Sequence, residues 1–207
     1  MGNRLRHLRA QVAREAALLL YTEQEKEYKQ AKRRAAKTLG ARILPSNLEV
    51  AQELDEAAEQ NEGPSRKERL IQMRRDALRV MGVLQDFHPR LVGSVWRGTV
   101  HRNSDIDIVT FSPNPESVLM KLKESGLQIA KAEWRSVTKQ GRRETSFHIH
   151  VALPSENEAE IVVRSPERMN QVEWCEIYGD HVTGLNYLQL YKVLNEDTLQ
   201  RFVPTSR

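Results

Sequence analysis

Two aspartates separated by one residue, Asp105 and Asp107, constrain this chain more than any other feature of its sequence. They alternate with apolar β-branched residues, a pattern that is typical of a strand. Side chains two positions apart in a strand project to the same face, about 7 Å apart at Cα. Carboxylates held that close repel each other unless a cation neutralises them, and such hard oxygen ligands suit Mg²⁺ or Mn²⁺. The pattern therefore predicts a strand that carries a divalent metal site on one face.

A glycine–serine pair precedes this strand. Gly93 and Ser94 follow the short apolar segment Leu91-Val92, and ten residues separate Ser94 from Asp105. Backbone N–H groups at such a turn, together with the serine hydroxyl, form a small anion-binding cradle. Taken singly, the pair is equally typical of an ordinary turn, and Asp-Ile-Asp of an edge strand with a wet face. Their order and spacing together favour a phosphate-binding turn beside a metal-binding pair.

At these residues the chain resembles the DNA polymerase β-like nucleotidyltransferase superfamily. The run Gly93-Ser-Val-Trp-Arg-Gly-Thr99 is most similar to the head domain of archaeal CCA-adding enzymes. The detailed similarity is confined to the two motifs and the residues between them, and a looser similarity extends from Ser65 to the C-terminus. The resemblance implies an α+β fold in which helices flank a mixed β-sheet. It does not cover the N-terminal residues, which we expect to form a helical region.

The resemblance also implies a metal-binding triad. Asp105 and Asp107 would bind two Mg²⁺ or Mn²⁺ ions, and a third carboxylate from a neighbouring strand would bind one of the two. Glu160 fits this third position best because apolar β-branched residues follow it. Glu158 lies on the same strand face and is the alternative. We expect the third carboxylate to accept the proton of the acceptor hydroxyl as well.

Phosphate and acceptor contacts are implied by the same resemblance. Gly93 and Ser94 are expected to hold the triphosphate of an NTP substrate. Arg97, which matches an arginine of the polymerase β pattern, is expected to add a charge-assisted contact. The candidate contacts to the acceptor are four polar side chains, those of Thr99, Lys139, Arg142 and Arg143. No covalent nucleophile is required, because this chemistry depends on positioning and electrostatics.

These roles predict a metal-dependent nucleotidyltransferase that moves NMP from an NTP to a hydroxyl acceptor and releases pyrophosphate, with RNA as the favoured acceptor. Two alternatives stay open. One is a minimal nucleotidyltransferase of the toxin–antitoxin type, which adenylylates a partner protein. The other is an inactive nucleotidyltransferase-like module that binds RNA or a protein partner. A homodimer is compatible with each of them.

Composition restricts the cellular setting. The chain has 207 residues, which suffice for one large or two small domains with a real core. A net charge of +4 mildly favours a polyanionic partner. The single cysteine, Cys175, rules out an intramolecular disulfide and is expected to be a core residue in a reducing cytoplasm. No apolar run approaches the ~20 residues of a membrane span, and the first twenty-one residues lack the cleavage site of a signal peptide.

The sequence of the N-terminal region predicts helices of opposite charge. Apolar residues recur at three- and four-residue steps through residues 3–39, which predicts one long helix. Four basic residues fall on one face of it: Lys26, Lys29, Arg33 and Lys37. That face is either a phosphate-contacting ridge for RNA or a solvated surface with intrahelical pairs such as Glu25–Lys29, which is the commoner case.

A second helix begins with a capping box at Ser46 and Glu49. It carries acidic residues and no basic ones, so we expect it to pack against the basic helix before it. Residues 61–64 are the best boundary in the chain and divide it into a helical region, residues 1–64, and a nucleotidyltransferase domain, residues 65–207. A second capping box, Ser65 to Glu68, is expected to open the first helix of that domain.

Beyond the Asp strand, the pattern predicts a helix from residue 116, a hairpin of strands 127–137 and 145–153, and a strand at 159–163. His148 and His150 share one face of the hairpin. They indicate a polar pair near the substrate groove more than a zinc site, because no cysteine or further histidine is placed to help. A strand at 172–177 and a helix at 182–194 complete the chain. Four residues of that helix are expected to face inward: Leu185, Leu188, Tyr191 and Leu194.

Overall fold

The computed structural model describes residues 2–139 and 142–204, and only the backbone of residues 2–3, 137–139 and 142–144. Within these residues the fold is α+β, with one mixed sheet flanked by helices and further helices at the N-terminus. The predicted fold class is therefore confirmed. Among the described residues, no helix combines the length and the hydropathy that a transmembrane span requires.

The described residues contain seven α-helices and five strands. The helices are α1 (Gly2–Tyr21), α2 (Tyr28–Thr38), α3 (Asn47–Glu62), α4 (Pro64–Val83), α5 (Gly93–Arg97), α6 (Pro115–Glu124) and α7 (Tyr187–Glu196). The strands are β1 (Arg90–Val92), β2 (Ile106–Phe111), β3 (Gln128–Lys139), β4 (Arg142–Ala152) and β5 (Glu158–Arg164). Single 3₁₀ turns occur at Gln85–Phe87 and Pro166–Arg168.

The first three helices pack around a core of their own, which consists largely of alanines. Alanine side chains are small and therefore permit a close approach of the helix axes. The acidic helix α3 packs against the basic helix α1, as predicted, and the Glu49 and Glu53 carboxylates accept hydrogen bonds from Arg9 and Arg14. The capping box at the start of α3 is also confirmed: Ser46 Oγ accepts from the Glu49 N–H at 3.1 Å, and Glu49 Oε2 accepts from the Ser46 N–H at 2.7 Å.

The single helix predicted over residues 3–39 is wrong. Helix α1 ends at Tyr21 and α2 begins at Tyr28, so Lys26 lies in the connection. At the break, Thr22 Oγ1 donates to the Leu18 carbonyl at 2.7 Å, and Glu23 adopts a positive φ of 57°. The break lets α2 fold back and bury its alanines against α1. One continuous helix would leave those alanines in solvent, because no other element would reach them.

Helices α3 and α4 are joined by one residue, Gly63. The capping box predicted at Ser65 is wrong, because α4 already begins at Pro64. Proline suits the first helical position, where its fixed φ fits and its missing N–H has no partner to lose. Ser65 Oγ donates instead to the Glu62 carbonyl at 2.8 Å, across the junction.

Five strands of the described chain form one sheet in the order β1-β2-β5-β4-β3. Strands β2 and β5 are parallel, and every other neighbouring pair is antiparallel. The predicted hairpin is confirmed as β3–β4, with pairing that continues to Lys139 opposite Arg142. The remaining core lies between one face of this sheet and helices α4, α6 and α7, and includes Ile106 and Ile108 of β2.

The opposite face of the sheet, called the site face below, carries the polar residues. Because side chains alternate along each strand, the ladder registers define this face. On β1, β2, β4 and β5 it includes Arg90, Val92, Asp107, Val109, Phe111, His148, His150, Glu158, Glu160, Val162 and Arg164.

Two predictions for the C-terminal segment are wrong. Residues 172–177 form no strand, only an isolated bridge between Trp174 and His181. Helix α7 begins at Tyr187, and its N-cap Asn186 forms a capping box with Gln189. Its buried residues are Leu190 and Val193, whereas the predicted inward residues Leu188 and Tyr191 are 73% and 55% exposed. The predicted helical phase fails because Leu185 is extended and bridges to Leu91, so the Asn186 cap sets the phase instead.

A fully buried arginine fastens the C-terminal segment to the core. Arg74 of α4 donates hydrogen bonds to four main-chain carbonyls, those of Val95 (3.2 Å), Trp96 (3.1 Å), Thr198 (2.7 Å) and Gln200 (2.8 Å). Burial lowers the pKa of Arg74 to about 10, so the side chain is still charged at neutral pH. These four hydrogen bonds therefore tie α4 to α5 and to the chain after α7.

We expect Arg74→Met to lower the free energy of unfolding by about 3 kcal/mol or more, because four main-chain carbonyls, two of them buried, lose a charged donor. Urea denaturation measures this loss. Arg75→Met is the matched control, since the neighbouring Arg75 is exposed, and it should change stability by no more than about 0.5 kcal/mol. Equal stabilities for the two variants would contradict the role assigned to Arg74.

Candidate active site

Three carboxylates from two parallel strands meet on the site face. The register of β2 and β5 places Asp107 directly opposite Glu160, and Asp105 lies just before β2. One carboxylate oxygen from each of the three residues lies within 4.8 Å of the others. The structure thus brings together the three side chains that the sequence predicted as a metal-binding triad.

The triad is electrostatically strained. Burial raises the pKa of Asp107 well above its ordinary value, and the nearby charges of Asp105 and Glu160 raise it further. Burial also raises the pKa of Asp105, with contributions from Glu160 and Glu158. A divalent cation relieves such repulsion, and three carboxylate oxygens at this spacing are a donor set that suits Mg²⁺ or Mn²⁺. The residues present therefore fit the predicted metal.

Gly93 touches the triad directly. Its φ is +69°, a left-handed conformation, and a Cβ added to it would lie 1.9 Å from Asp107 Oδ2. No side chain fits in that space, so glycine is required both for the turn and for the approach to the carboxylate. The motif thereby holds Asp107 in place from the side opposite Glu160.

Ser94 lines a cavity beside this glycine. The predicted glycine–serine turn continues as the short helix α5, after which the Thr99 N–H donates to the Ser94 carbonyl at 3.0 Å. Among the described residues, the Ser94 hydroxyl has no hydrogen-bond partner. The cavity has a volume of about 340 Å³, within the size range of small-molecule sites. Its walls comprise Gly93, Ser94 and Thr99, the site-face residues Val109 and Phe111, residues 168–183 in part, and Tyr28, Leu54 and Asp55 of the N-terminal region.

Glu160 is held by the neighbouring strands. Its Oε1 accepts a hydrogen bond from Arg135 Nη1 at 2.9 Å, and His148 Nδ1 lies 2.8 Å from the same oxygen. Ser146 Oγ lies 2.8 Å from the other ring nitrogen of His148. Within the described residues, Glu160 Oε2 has no such partner. One oxygen of Glu160 is thus fixed by the sheet, and the second is free to bind a ligand or a proton.

The alternative third carboxylate, Glu158, stands apart from the triad. Its Oε1 lies 2.6 Å from His150 Nδ1, and its side chain is 54% exposed. The predicted polar pair of histidines is therefore observed: His148 contacts Glu160, and His150 contacts both Glu158 and, at 3.4 Å, Glu160. Among the described residues, neither histidine joins a group of three metal-ligand side chains.

The predicted phosphate contact Arg97 has other partners in the structure. The side chain is buried between the rings of Trp96 and Tyr178, at 4.4 and 4.3 Å from their centroids. Its guanidinium donates to both carboxylate oxygens of Asp180, at 3.1 and 2.6 Å, and to the Phe202 carbonyl at 2.9 Å. Arg97 lines the cavity only with the small part of its side chain that these contacts leave exposed. Its role as a phosphate contact stays a prediction.

The role of the four candidate acceptor contacts stays a prediction. Thr99 lines the cavity. Lys139, Arg142 and Arg143 lie at the end of the β3–β4 hairpin, and their side chains are outside the described residues.

Two site residues were not found from the sequence. Arg90 lies on the site face opposite Val109 and lines the cavity, and no acidic partner for it occurs in the described chain. Its alternation with Val92 about the buried Leu91 is the signal that indicates this face. Arg135, which holds Glu160, left no such signal, because its position depends on the pairing of β3 with β4.

Comparison with known proteins agrees with this geometry. Residues 84–172 match the family model of the nucleotidyltransferase domain. The matched segment runs from β1 through β5 and includes Gly93, Ser94 and the whole triad, which supports the polymerase β-like superfamily. No curated protein matches the chain. The similarity to archaeal CCA-adding enzymes stays a prediction.

We expect Gly93→Ala to destabilise the protein and to weaken Mn²⁺ binding, because the added methyl group displaces the Asp107 carboxylate. Gly126→Ala is the matched control: Gly126 also has a positive φ, +78°, but nothing lies within 4 Å of its added Cβ. The control incurs only the left-handed backbone cost of about 1–2 kcal/mol. Gly93→Ala should cost about 1–3 kcal/mol more. Urea denaturation and calorimetric Mn²⁺ titration distinguish the two, and equal behaviour would contradict the close contact.

A second prediction concerns the charge of Asp107. Because its pKa is raised in the folded protein, its contribution to stability is greatest below the ordinary carboxyl pKa. That contribution decreases as pH rises through the window up to the raised value. Without divalent ions, Asp107→Asn should therefore melt above the wild type. The gap should widen as pH rises above the ordinary carboxyl pKa of about 4, by on the order of 2–4 °C per kcal/mol of relieved repulsion.

Differential scanning fluorimetry with and without Mg²⁺ checks this expectation. The ion should raise the melting temperature of the wild type more than that of Asp107→Asn. Asp86→Asn serves as control, since the Asp86 side chain is 78% exposed and should show neither effect. A pH-independent difference between wild type and Asp107→Asn would refute the assigned electrostatics.

Proposed function

We propose that this protein transfers a nucleoside monophosphate from an NTP to an acceptor hydroxyl and releases pyrophosphate. One observation carries the proposal: three carboxylates converge beside a glycine–serine turn, and no larger residue fits at Gly93 of that turn. The nucleotidyltransferase-domain match over residues 84–172 supports the same chemistry.

The triad residues would hold the divalent metal, and we infer the two-ion arrangement that the family resemblance implies. When bound, Mg²⁺ or Mn²⁺ supplies positive charge that stabilises the attacking and leaving oxygens of an in-line displacement. The protein's own contribution is to hold Asp105, Asp107 and Glu160 in a fixed geometry on paired strands. A partly buried cluster of acids lowers stability when nothing is bound to it, which argues against an inactive module.

The cavity beside α5 offers a place for the nucleotide. The free Ser94 hydroxyl and the Gly93-Ser94 backbone would contact the triphosphate at the mouth of the cavity. Arg90, which lacks an acidic partner in the described chain, would add a charge-assisted contact. The nucleoside would then lie against the apolar wall formed by Val109 and Phe111.

Proton transfer falls to Glu160. As the acceptor oxygen bonds to the α-phosphorus, the bond to pyrophosphate breaks and the hydroxyl proton must leave. Arg135 and His148 fix Oε1 of Glu160, so Oε2 is the oxygen that would accept this proton. RNA remains the favoured acceptor, as predicted from the sequence.

We expect the wild type to transfer label from an α-labelled NTP, with Mg²⁺, to an acceptor in a mixture of cellular RNA and protein. Glu160→Gln should lower this transfer by on the order of 100-fold or more, because it removes the proton acceptor. Glu158→Gln is the matched control, two residues away on the same face, and should retain transfer. Gel analysis after nuclease or protease treatment identifies the acceptor. Full transfer by Glu160→Gln, or none by the wild type, would overturn the proposal.

A further inference from the structure

Helix α2 presents three basic side chains to solvent on one face. Lys29, Arg33 and Lys37, called the basic ridge below, are exposed and spaced four residues apart. The spacing aligns them along the helix over about 12 Å. The opposite face of α2 is buried and contains Ala31 and Ala35. The ridge is therefore an outward-facing row of cations on a helix whose other side is held by the N-terminal core.

The ridge has no countercharge in the described part of the chain. The intrahelical pair Glu25–Lys29, which the sequence favoured, is absent. Glu25 Oε1 instead accepts a hydrogen bond from Arg34 Nη1 at 3.1 Å. No acidic partner for Lys29, Arg33 or Lys37 occurs among the described residues. The solvated-face interpretation depended on such pairs, and the structure does not contain them.

The neighbouring acids are engaged elsewhere. Almost every carboxylate of α3 bonds to a cation outside α2. These pairs are Glu49–Arg9, Glu53–Arg14, Asp55–Arg66, Asp55–Arg201, Glu59–Arg66 and Glu62–Arg69. The carboxylates of the acidic helix thus pair with arginines of α1, α4 and the C-terminal segment, and the ridge stays positive.

Helix α2 also borders the candidate active site. Its first residue, Tyr28, lines the same cavity as Gly93 and Ser94. Lys32 Nζ donates to Asn47 Oδ1 at 2.7 Å, and Asn47 Nδ2 donates to the Glu176 carbonyl at 3.1 Å. These bonds hold α2 against the segment that forms the cavity wall, so the ridge begins one residue from the cavity.

We propose that the basic ridge binds the phosphate backbone of an RNA acceptor, an inference that rests on the nucleotidyl transfer proposed above. The triad itself repels a polyanion, and two cations of β3 on this side of the sheet are paired: Arg135 with Glu133 and Glu160, and Lys131 with Glu133. An RNA acceptor therefore needs its positive contacts outside the triad. The ridge supplies them beside the cavity.

The shape of α2 favours RNA over an anionic membrane. A helix that binds a membrane surface inserts an apolar face below its basic one. The apolar face of α2 is already buried against the N-terminal core, with Ala31 and Ala35 fully inaccessible. Contact through the cations alone matches phosphate-backbone binding, which is electrostatic and depends on salt.

We expect Lys29→Glu/Arg33→Glu/Lys37→Glu to weaken the binding of a fluorescently labelled single-stranded RNA of about 16 nucleotides, measured by anisotropy without NTP or metal. Each lost phosphate contact should lower the slope of log Kd against log salt concentration by about 0.7, hence about 2 for the triple variant. Glutamate is a good helix former, and an unchanged melting temperature checks that α2 is intact.

The matched control is Lys67→Glu/Arg75→Glu/Lys123→Glu, which changes the net charge equally at exposed sites on α4 and α6. It should bind RNA like the wild type. Equal loss in both triple variants would show a general charge effect and overturn the proposal. So would unchanged binding by the ridge variant, or ridge-dependent binding to phosphatidylserine vesicles as tight as that to RNA.

The label-transfer assay keeps this result separate from the proposed reaction. If the ridge variant binds RNA normally while the wild type transfers label, the ridge assignment fails and the transferase assignment stands. If the ridge binds RNA as expected but the wild type transfers no label to any acceptor, nucleotidyl transfer fails and the ridge remains as an RNA-binding surface.

Discussion

The convergence of three carboxylates at the β2–β5 pair is the constraint on which the rest of this structure depends. The strands are parallel and neighbouring, so Asp107 and Glu160 face each other although they lie 53 positions apart in the sequence. Buried Ile106 and Ile108 anchor β2 in the core on the other face, and Gly93 closes against Asp107. The stability of the sheet therefore holds in place a cluster of charges that would separate on a flexible scaffold.

Much of the site was accessible from the sequence because its key residues lie in local patterns. Alternation along a strand places Asp105 and Asp107 on one face, and the residues after Glu160 identify a second buried strand. The pairing of Glu160 with Arg135 was not accessible. It depends on the register of three strands, and that register shifts between Ile129 and Lys131. No feature of the sequence near Arg135 reports such a shift.

Long-range contacts account for the other differences. Asp180 lies 83 residues beyond its partner Arg97, so the sequence gives no sign that Arg97 is engaged. The phase of α7 depends on whether Leu185 is helical or extended, and its bridge to Leu91 decides this. The break between α1 and α2 likewise follows from packing, since the apolar periodicity continues across it. Helical propensity is a weak guide wherever tertiary packing offers a better arrangement.

The segment between α5 and β2 is fastened to the N-terminal helices at several points. Arg66, just inside α4, donates to the Val100 carbonyl at 2.7 Å while it also binds Asp55 and Glu59 of α3. The Arg102 N–H donates to Glu62 Oε1 at 2.8 Å, and Asn103 Nδ2 to the Tyr21 carbonyl at 3.0 Å.

This segment joins the glycine–serine turn to the aspartates. The N-terminal helices therefore hold it in position, although they contribute no acid to the triad. These hydrogen bonds link the two hydrophobic cores, and the division of the chain at residues 61–64 stays a prediction. A shortened chain that began at α4 would keep every carboxylate of the triad. It would lose the hydrogen bonds that α1 and α3 make to this segment. Substitutions in α3 that break these hydrogen bonds would then disturb the triad without contacting it.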